Sequence, residues 1–155
     1  MSYILQMRLD GRPAEWFSWV ELTRTSTGLP NEPDEEVRLN LQIVAQCFLD
    51  PLRAKVGVPI YITSGYRSPA VNKAVKGSSL SAHLRGCAAD FKVKGMTALE
   101  VMRVVIEMGL PYDQLIGYAA NRGGHVHLGI PVGGYTARRQ TLWAPEGGGY
   151  HPFDR

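Results

Sequence analysis

Val37, Leu41, Val44, Ala45, Phe48 and Leu52 recur at three- and four-residue steps, the spacing that lines one side of a helix with apolar groups. Asp34, Glu35 and Glu36 stand before them, where the positive end of the helix dipole favours acidic side chains. The pattern predicts a helix from Asp34 to about Val56 and Gly57. A second stripe, Leu99, Met102, Val105 and Ile106, predicts a helix over Thr97 to Met108, stopped by Gly109 and Pro111. Two shorter helices are read from their starts. Ser18 with Glu21 fits a capping box beside the apolar cluster Trp16, Phe17, Trp19, Val20 and Leu22. Ser68 followed by Pro69 fits a capped first turn leading to Val75.

Between the helices the apolar runs shorten and turn β-branched. Pro59–Thr63 and Ala88–Val93 read as strands. Gln114–Tyr118 and Val126–Ile130 flank the turn-like A-A-N-R-G-G and predict two adjacent antiparallel strands. After Pro131 glycine, proline and polar residues dominate, with Tyr135, Trp143, Tyr150 and Phe153 as the aromatic anchors. That segment is expected to be irregular and wrapped on the domain, with Gly147–Gly149 as a flexible tail. The sum is an α+β chain with helices packed on a small antiparallel sheet. At 155 residues it is expected to form one domain, 1–155, able to bury a core without disulfides.

Composition narrows the partners. Seventeen Lys and Arg against fourteen Asp and Glu give a formal charge of +3, enough to favour an anionic polymer but not to argue for nucleic acid. Cys47 and Cys87 lie far apart in an ordinary globular composition and are expected as reduced thiols. M-S-Y-I-L-Q-M-R-L-D has neither a basic start nor a long apolar core, so a chain made in the cytoplasm without signal peptide or membrane insertion is expected. Action at a cell wall then requires some other release, as in phage lysis.

The candidate chemistry lies in two places. Ser81 to Asp90 read S-A-H-L-R-G-C-A-A-D, and the strand beginning near Val126 is preceded and entered by H-V-H. His83, Asp90 and His127 together offer three ligands and leave one position open, as catalytic zinc requires; a closed structural site more often uses four, rich in thiolate. Cys87 is a conceivable further ligand. His125 and His127 share a strand face about 6.5–7 Å apart, which suits one ligand and one neighbour facing the substrate. Gly86 allows a close turn between His83 and Asp90. Ser81, two before His83, is placed to hydrogen-bond the ligand loop.

S-A-H-L-R-G-C-A-A-D resembles the SxHxxGxAxD signature of zinc peptidoglycan peptidases, the group of D-Ala-D-Ala carboxypeptidases, dipeptidases and phage L-alanyl-D-glutamate endopeptidases. I-T-S-G-Y-R-S, F-S-W-V-E-L-T and Y-D-Q-L-I are also similar, and the likeness covers roughly Phe17 to Ile130. It implies the hedgehog/DD-peptidase fold, one zinc ion on His83, Asp90 and His127, and substrate binding by Arg67, with Ser81 beside it. An arginine fork suits two-point grip of a carboxylate or carbonyl. The implied activity is zinc-assisted hydrolysis in the peptidoglycan stem peptide, at a D-Ala-D-Ala or L-Ala-D-Glu bond, by a monomeric endolysin or virion peptidase.

The best-known members of that family place Glu or Asp three residues before the last ligand, where this chain has Gly124. His125 is the first candidate for the missing general base, since related enzymes with an HxH pair keep the first histidine near the substrate. Asp113 is the second, and a residue not identified by motif is the third. The absent acid also leaves open a zinc-bearing wall-binding or virion module without hydrolysis, as hedgehog domains bind partners on the same architecture. A plain globular domain without metal would need the two motifs to lie apart.

Overall fold

The computed structural model describes residues 3–133 and 135–153. Helices α1 (Trp19–Thr23), α2 (Glu35–Val44) and α3 (Asp50–Val56) come first, then strand β1 (Ile60–Ser64) and helix α4 (Pro69–Ala74). Strand β2 (Ala88–Val93), helix α5 (Ala98–Glu107), β3 (Gln114–Tyr118), β4 (Val126–Gly129), β5 (Gln140–Ala144) and β6 (His151–Pro152) follow. The expected α+β architecture is present. Ser18 and Thr97 complete capping boxes, and Asp34 and Ser68 cap α2 and α4, as their positions require.

The long helix predicted from Asp34 is continuous through α2 and α3, but Ala45–Leu49 between them widens into a π-helical stretch. Pro51 explains it. A proline ring in a regular helix clashes with the carbonyl four residues earlier and offers no N–H to it; here that residue is Cys47, inside the wide turn. The extra residue in the turn keeps Phe48, Leu49 and Leu52 pointing inward, all with no exposed surface.

The six strands run in the order β1-β2-β4-β3-β5-β6, and every neighbouring pair is antiparallel except β3 with β5. Alternation divides the sheet into two faces. Ile60, Ile62, Ala89, Phe91, Leu115, Val126 and Leu128 enter the core with α2, α3 and α5. Helix α5 lies close against β3 at Gly117, where any β-carbon would strike the Met102 sulfur. Asp90, Ile116 and His127 are left on the opposite face, paired across β2, β4 and β3.

The C-terminal segment departs from the expectation. It is not irregular: Gln140–Ala144 adds to the free edge of β3, and the chain returns as β6. Gly147–Gly149 does follow a strand and forms the turn between β5 and β6 rather than a flexible tail. Burial alternates poorly along β5, so its own pattern carries little strand signal; an open sheet edge supplies the partner.

Asn31 ties the first loop to the corner after β1. Its side-chain amide donates to the carbonyls of Thr23 (2.6 Å) and Tyr66 (2.8 Å), and its oxygen accepts from the Ser68 N–H at 2.6 Å. Asn31→Ala would strand these backbone groups in a buried site. We expect a loss of about 2 kcal/mol, read as a lower denaturant midpoint; an unchanged midpoint would contradict it.

Candidate metal centre

The centre forms where β2, β4 and the loop before β2 meet. Asp90 on β2 stands directly opposite His127 on β4. His83 arrives from a short 3₁₀ turn, Ala82–Arg85, which Ser81 caps by accepting the His83 N–H at 3.3 Å. Gly86 ends that turn at φ +69°, and a β-carbon there would meet Val37 at 2.8 Å. The tight reversal folds His83 back over Asp90, as the sequence suggested.

His83 Nε2 lies 3.2 Å from Asp90 Oδ1, and His127 Nδ1 lies 2.8 Å from the same oxygen. The ligand atoms of the three residues all lie within 4.8 Å of one another. Tetrahedral zinc with bonds near 2.0–2.1 Å needs ligand atoms about 3.3 Å apart, so the set fits such an ion. Proton bookkeeping agrees. His83 Nδ1 sits 2.6 Å from the Gly65 carbonyl oxygen, which can only accept. In neutral His83 the proton is therefore on Nδ1, and Nε2 turns a lone pair toward a carboxylate oxygen. Two acceptors facing each other call for a cation between them.

Asp90 is nearly buried. Burial alone would raise its carboxyl, but the His83 and His127 rings, when charged, outweigh that and hold it below the usual carboxylate range; a bound cation would act in the same direction. Its other oxygen accepts from Arg67 at 3.3 Å. The Arg67 side chain is braced by Ser64 Oγ (3.0 Å) and Asn72 Oδ1 (3.4 Å). A register shift between Ile62 and Ser64 puts Ser64 opposite Asp90, a use of the β-bulge to re-aim one side chain. Arg67 thus orients the carboxylate and still lines the cleft.

That cleft has a volume of about 510 Å³, within the ordinary size of small-ligand sites. Arg67, Ser81, His83, Asp90, Asp113 and His127 all line it. Asp113 is not a free carboxylate there. Arg138 donates to both of its oxygens, at 2.7 and 3.1 Å, and the Arg138 N–H adds a bond at 2.9 Å. Their ion pair holds the Asp113 carboxyl low against the raising effect of burial.

His125 is one strand position short of β4, its imidazole stacked on Tyr118 with centroids 4.3 Å apart. Burial lowers its pKa below the ordinary value, with Asp90 opposing, so the neutral ring dominates at neutral pH. Cys87 turns into the core, where burial pushes its thiol up to about 11; it is not in the ligand cluster. Gly124 adopts φ +63°, a left-handed conformation that glycine takes without steric cost.

Sequence reasoning missed Gly65, Ser64 and Asn72, which hold His83 and Arg67, and Tyr118, Tyr150 and Arg138 on the cleft wall. Gly65 lay in S-G-Y-R-S, whose turn-like character was the available signal. Tyr150 and Arg138 had none, since their place depends on β5 docking.

No match is found among curated proteins. The family model described as Peptidase M15 covers residues 17–129, ending at the last residue of β4. With that span and this site geometry, the chain belongs to the Peptidase M15 family of zinc peptidases.

Proposed function

We propose that this chain is a zinc-dependent peptidoglycan peptidase that hydrolyses a peptide bond of the stem peptide, of D-Ala-D-Ala or L-Ala-D-Glu type. The observation that carries it is the convergence of His83, Asp90 and His127 at the floor of an open cleft. Those three residues hold one zinc ion. When bound, zinc supplies Lewis acidity toward a carbonyl oxygen and lowers the pKa of a water ligand.

The surrounding residues have separate tasks. The Gly65 carbonyl fixes the His83 tautomer, and Ser81 fixes the turn that carries it. Arg67 holds the outer oxygen of Asp90 and offers its guanidinium to the substrate. We assign the proton-acceptor role to His125, two residues before His127; Asp113, which lines the cleft ion-paired to Arg138, is the second candidate. We place its work at the bacterial cell wall, as an endolysin or virion peptidase acting as a monomer. The mild positive charge suits an anionic polymer, and no helix among the described residues is long and apolar enough to cross a membrane.

A second reading rests on Gly124 and the tied Asp113: a zinc-bearing wall-binding or virion module that does not hydrolyse. One experiment separates them. Purified peptidoglycan is digested with the zinc-loaded protein, with and without a chelator, and the fragments are weighed by mass spectrometry. We expect new stem-peptide fragments that disappear with chelator and return with zinc. No chelator-sensitive product from any wall chemotype, with zinc bound, would favour the binding module; no zinc bound at all would sink both.

A further inference from the structure

Tyr118 and Tyr150 share the cleft wall with Asp90 and His127. Their rings meet edge to face at 6.1 Å, and their hydroxyl oxygens are 3.5 Å apart. That is well beyond the roughly 2.7–2.8 Å of a good O–H···O bond, so neither phenol spends its proton fully on the other. Two donors at this spacing can reach a common oxygen lying in front of both.

The pair is held from several sides. His125 stacks on Tyr118, with centroids 4.3 Å apart. The Arg122 guanidinium lies over both rings, 5.7 Å from the Tyr118 centroid and 5.1 Å from that of Tyr150, and a cation over a phenol face strengthens its O–H as a donor. Arg122 also donates to the carbonyls of Gly149 (2.6 Å) and Pro145 (3.5 Å), while Asn121 donates to that of Glu146 at 3.3 Å. These bonds dock the β5–β6 turn on the β3–β4 connection and deliver Tyr150 to the cleft. Burial pushes the Tyr118 phenol up, so it keeps its proton. Preorganised donors of this kind act without reorganising when a substrate oxygen arrives.

We propose that Tyr118 and Tyr150 form a two-donor seat for one acceptor oxygen of the stem peptide, a main-chain carbonyl or a free carboxylate. Tyr150 lies beyond the span that matches the family, so the C-terminal segment sets which peptides the cleft accepts. The seat rests on the peptidase reading above.

The zinc-loaded wild type, Tyr118→Phe, Tyr150→Phe and the double variant are compared in two ways. One is steady-state hydrolysis of a synthetic stem pentapeptide ending in D-Ala-D-Ala, with its carboxylates free or amidated. The other is calorimetric binding of the peptides that hydrolysis releases. Phenylalanine keeps each ring, so zinc content and melting temperature should not move. Each single variant should raise KM and weaken product binding by about ten-fold, the worth of a hydrogen bond to a charged or polarised oxygen. The double variant should lose more than either single one, because it leaves the shared oxygen without a donor from the seat. Equal loss with acid and amide peptides assigns the seat to a carbonyl; loss with the acids alone assigns it to a carboxylate. A wild type that hydrolyses while both single variants keep KM and product binding overturns the seat alone. A zinc-loaded wild type that cleaves no stem peptide overturns the peptidase reading and the seat with it.

Discussion

His127→Ala is expected to abolish zinc binding, whereas His125→Ala keeps the ion and loses most turnover. The two side chains are close in sequence but differ in surroundings. His127 puts Nδ1 2.8 Å from Asp90 Oδ1, within the cluster that His83 completes. Removing it leaves two protein ligands and a buried carboxylate short of one partner. His125 is instead stacked on Tyr118 and absent from the ligand cluster, so its loss leaves the cluster whole. As a general base it should contribute on the order of 10²–10⁴-fold in rate. Metal content after dialysis and kcat on the cleaved wall peptide check the pair. Equal zinc loss in both variants would contradict these roles, and so would a His125→Ala enzyme with undiminished kcat.

Gly65→Ala should damage both the fold and the metal centre. A β-carbon at Gly65 would overlap the Leu22 carbonyl oxygen and crowd that residue's backbone. The same carbonyl accepts the Tyr66 N–H at 2.8 Å, so neither backbone can yield without breaking the bond that joins α1 to the end of β1. Forcing a methyl into such a contact costs about 3 kcal/mol, and in a domain of this size each kcal/mol lowers Tm by roughly 2–4 °C. The Gly65 carbonyl is also the partner of His83 Nδ1. Displacing it frees the ring orientation, which typically weakens metal affinity about 10–100-fold. Calorimetric melting and competitive zinc titration would test this, and a variant matching wild type in both would show that the backbone yields cheaply.

Much of this molecule was legible because its signals are local. The heptad-like stripe of α2 and α3 and the caps at Ser18, Asp34, Ser68 and Thr97 depend on residues within one or two turns. Strand alternation likewise sets His127 and Val126 on opposite faces from the sequence alone, as the structure has them. The ten-residue segment from Ser81 to Asp90 was readable for the same reason: a capped turn, a glycine reversal and a strand entry lie within it.

What could not be read depends on partners distant in the chain. Asp113 gave no local sign of its ion pair with Arg138, which comes from beyond β4 and donates to both of its oxygens. Arg67 was expected at the substrate, and only the bulge at Ser64 shows that it also steadies Asp90. The last quarter of the chain illustrates the limit most clearly, since β5 forms on an edge that β3 offers.

The sequence alone therefore placed the helices, four of the strands and the three candidate ligands, because cap, period and spacing act over a few residues. Tertiary structure alone decided that the candidate ligands converge, that Asp113 pairs with Arg138 and that Tyr150 reaches the cleft. Those outcomes follow from sheet register and edge pairing, which bring together side chains that no local pattern relates.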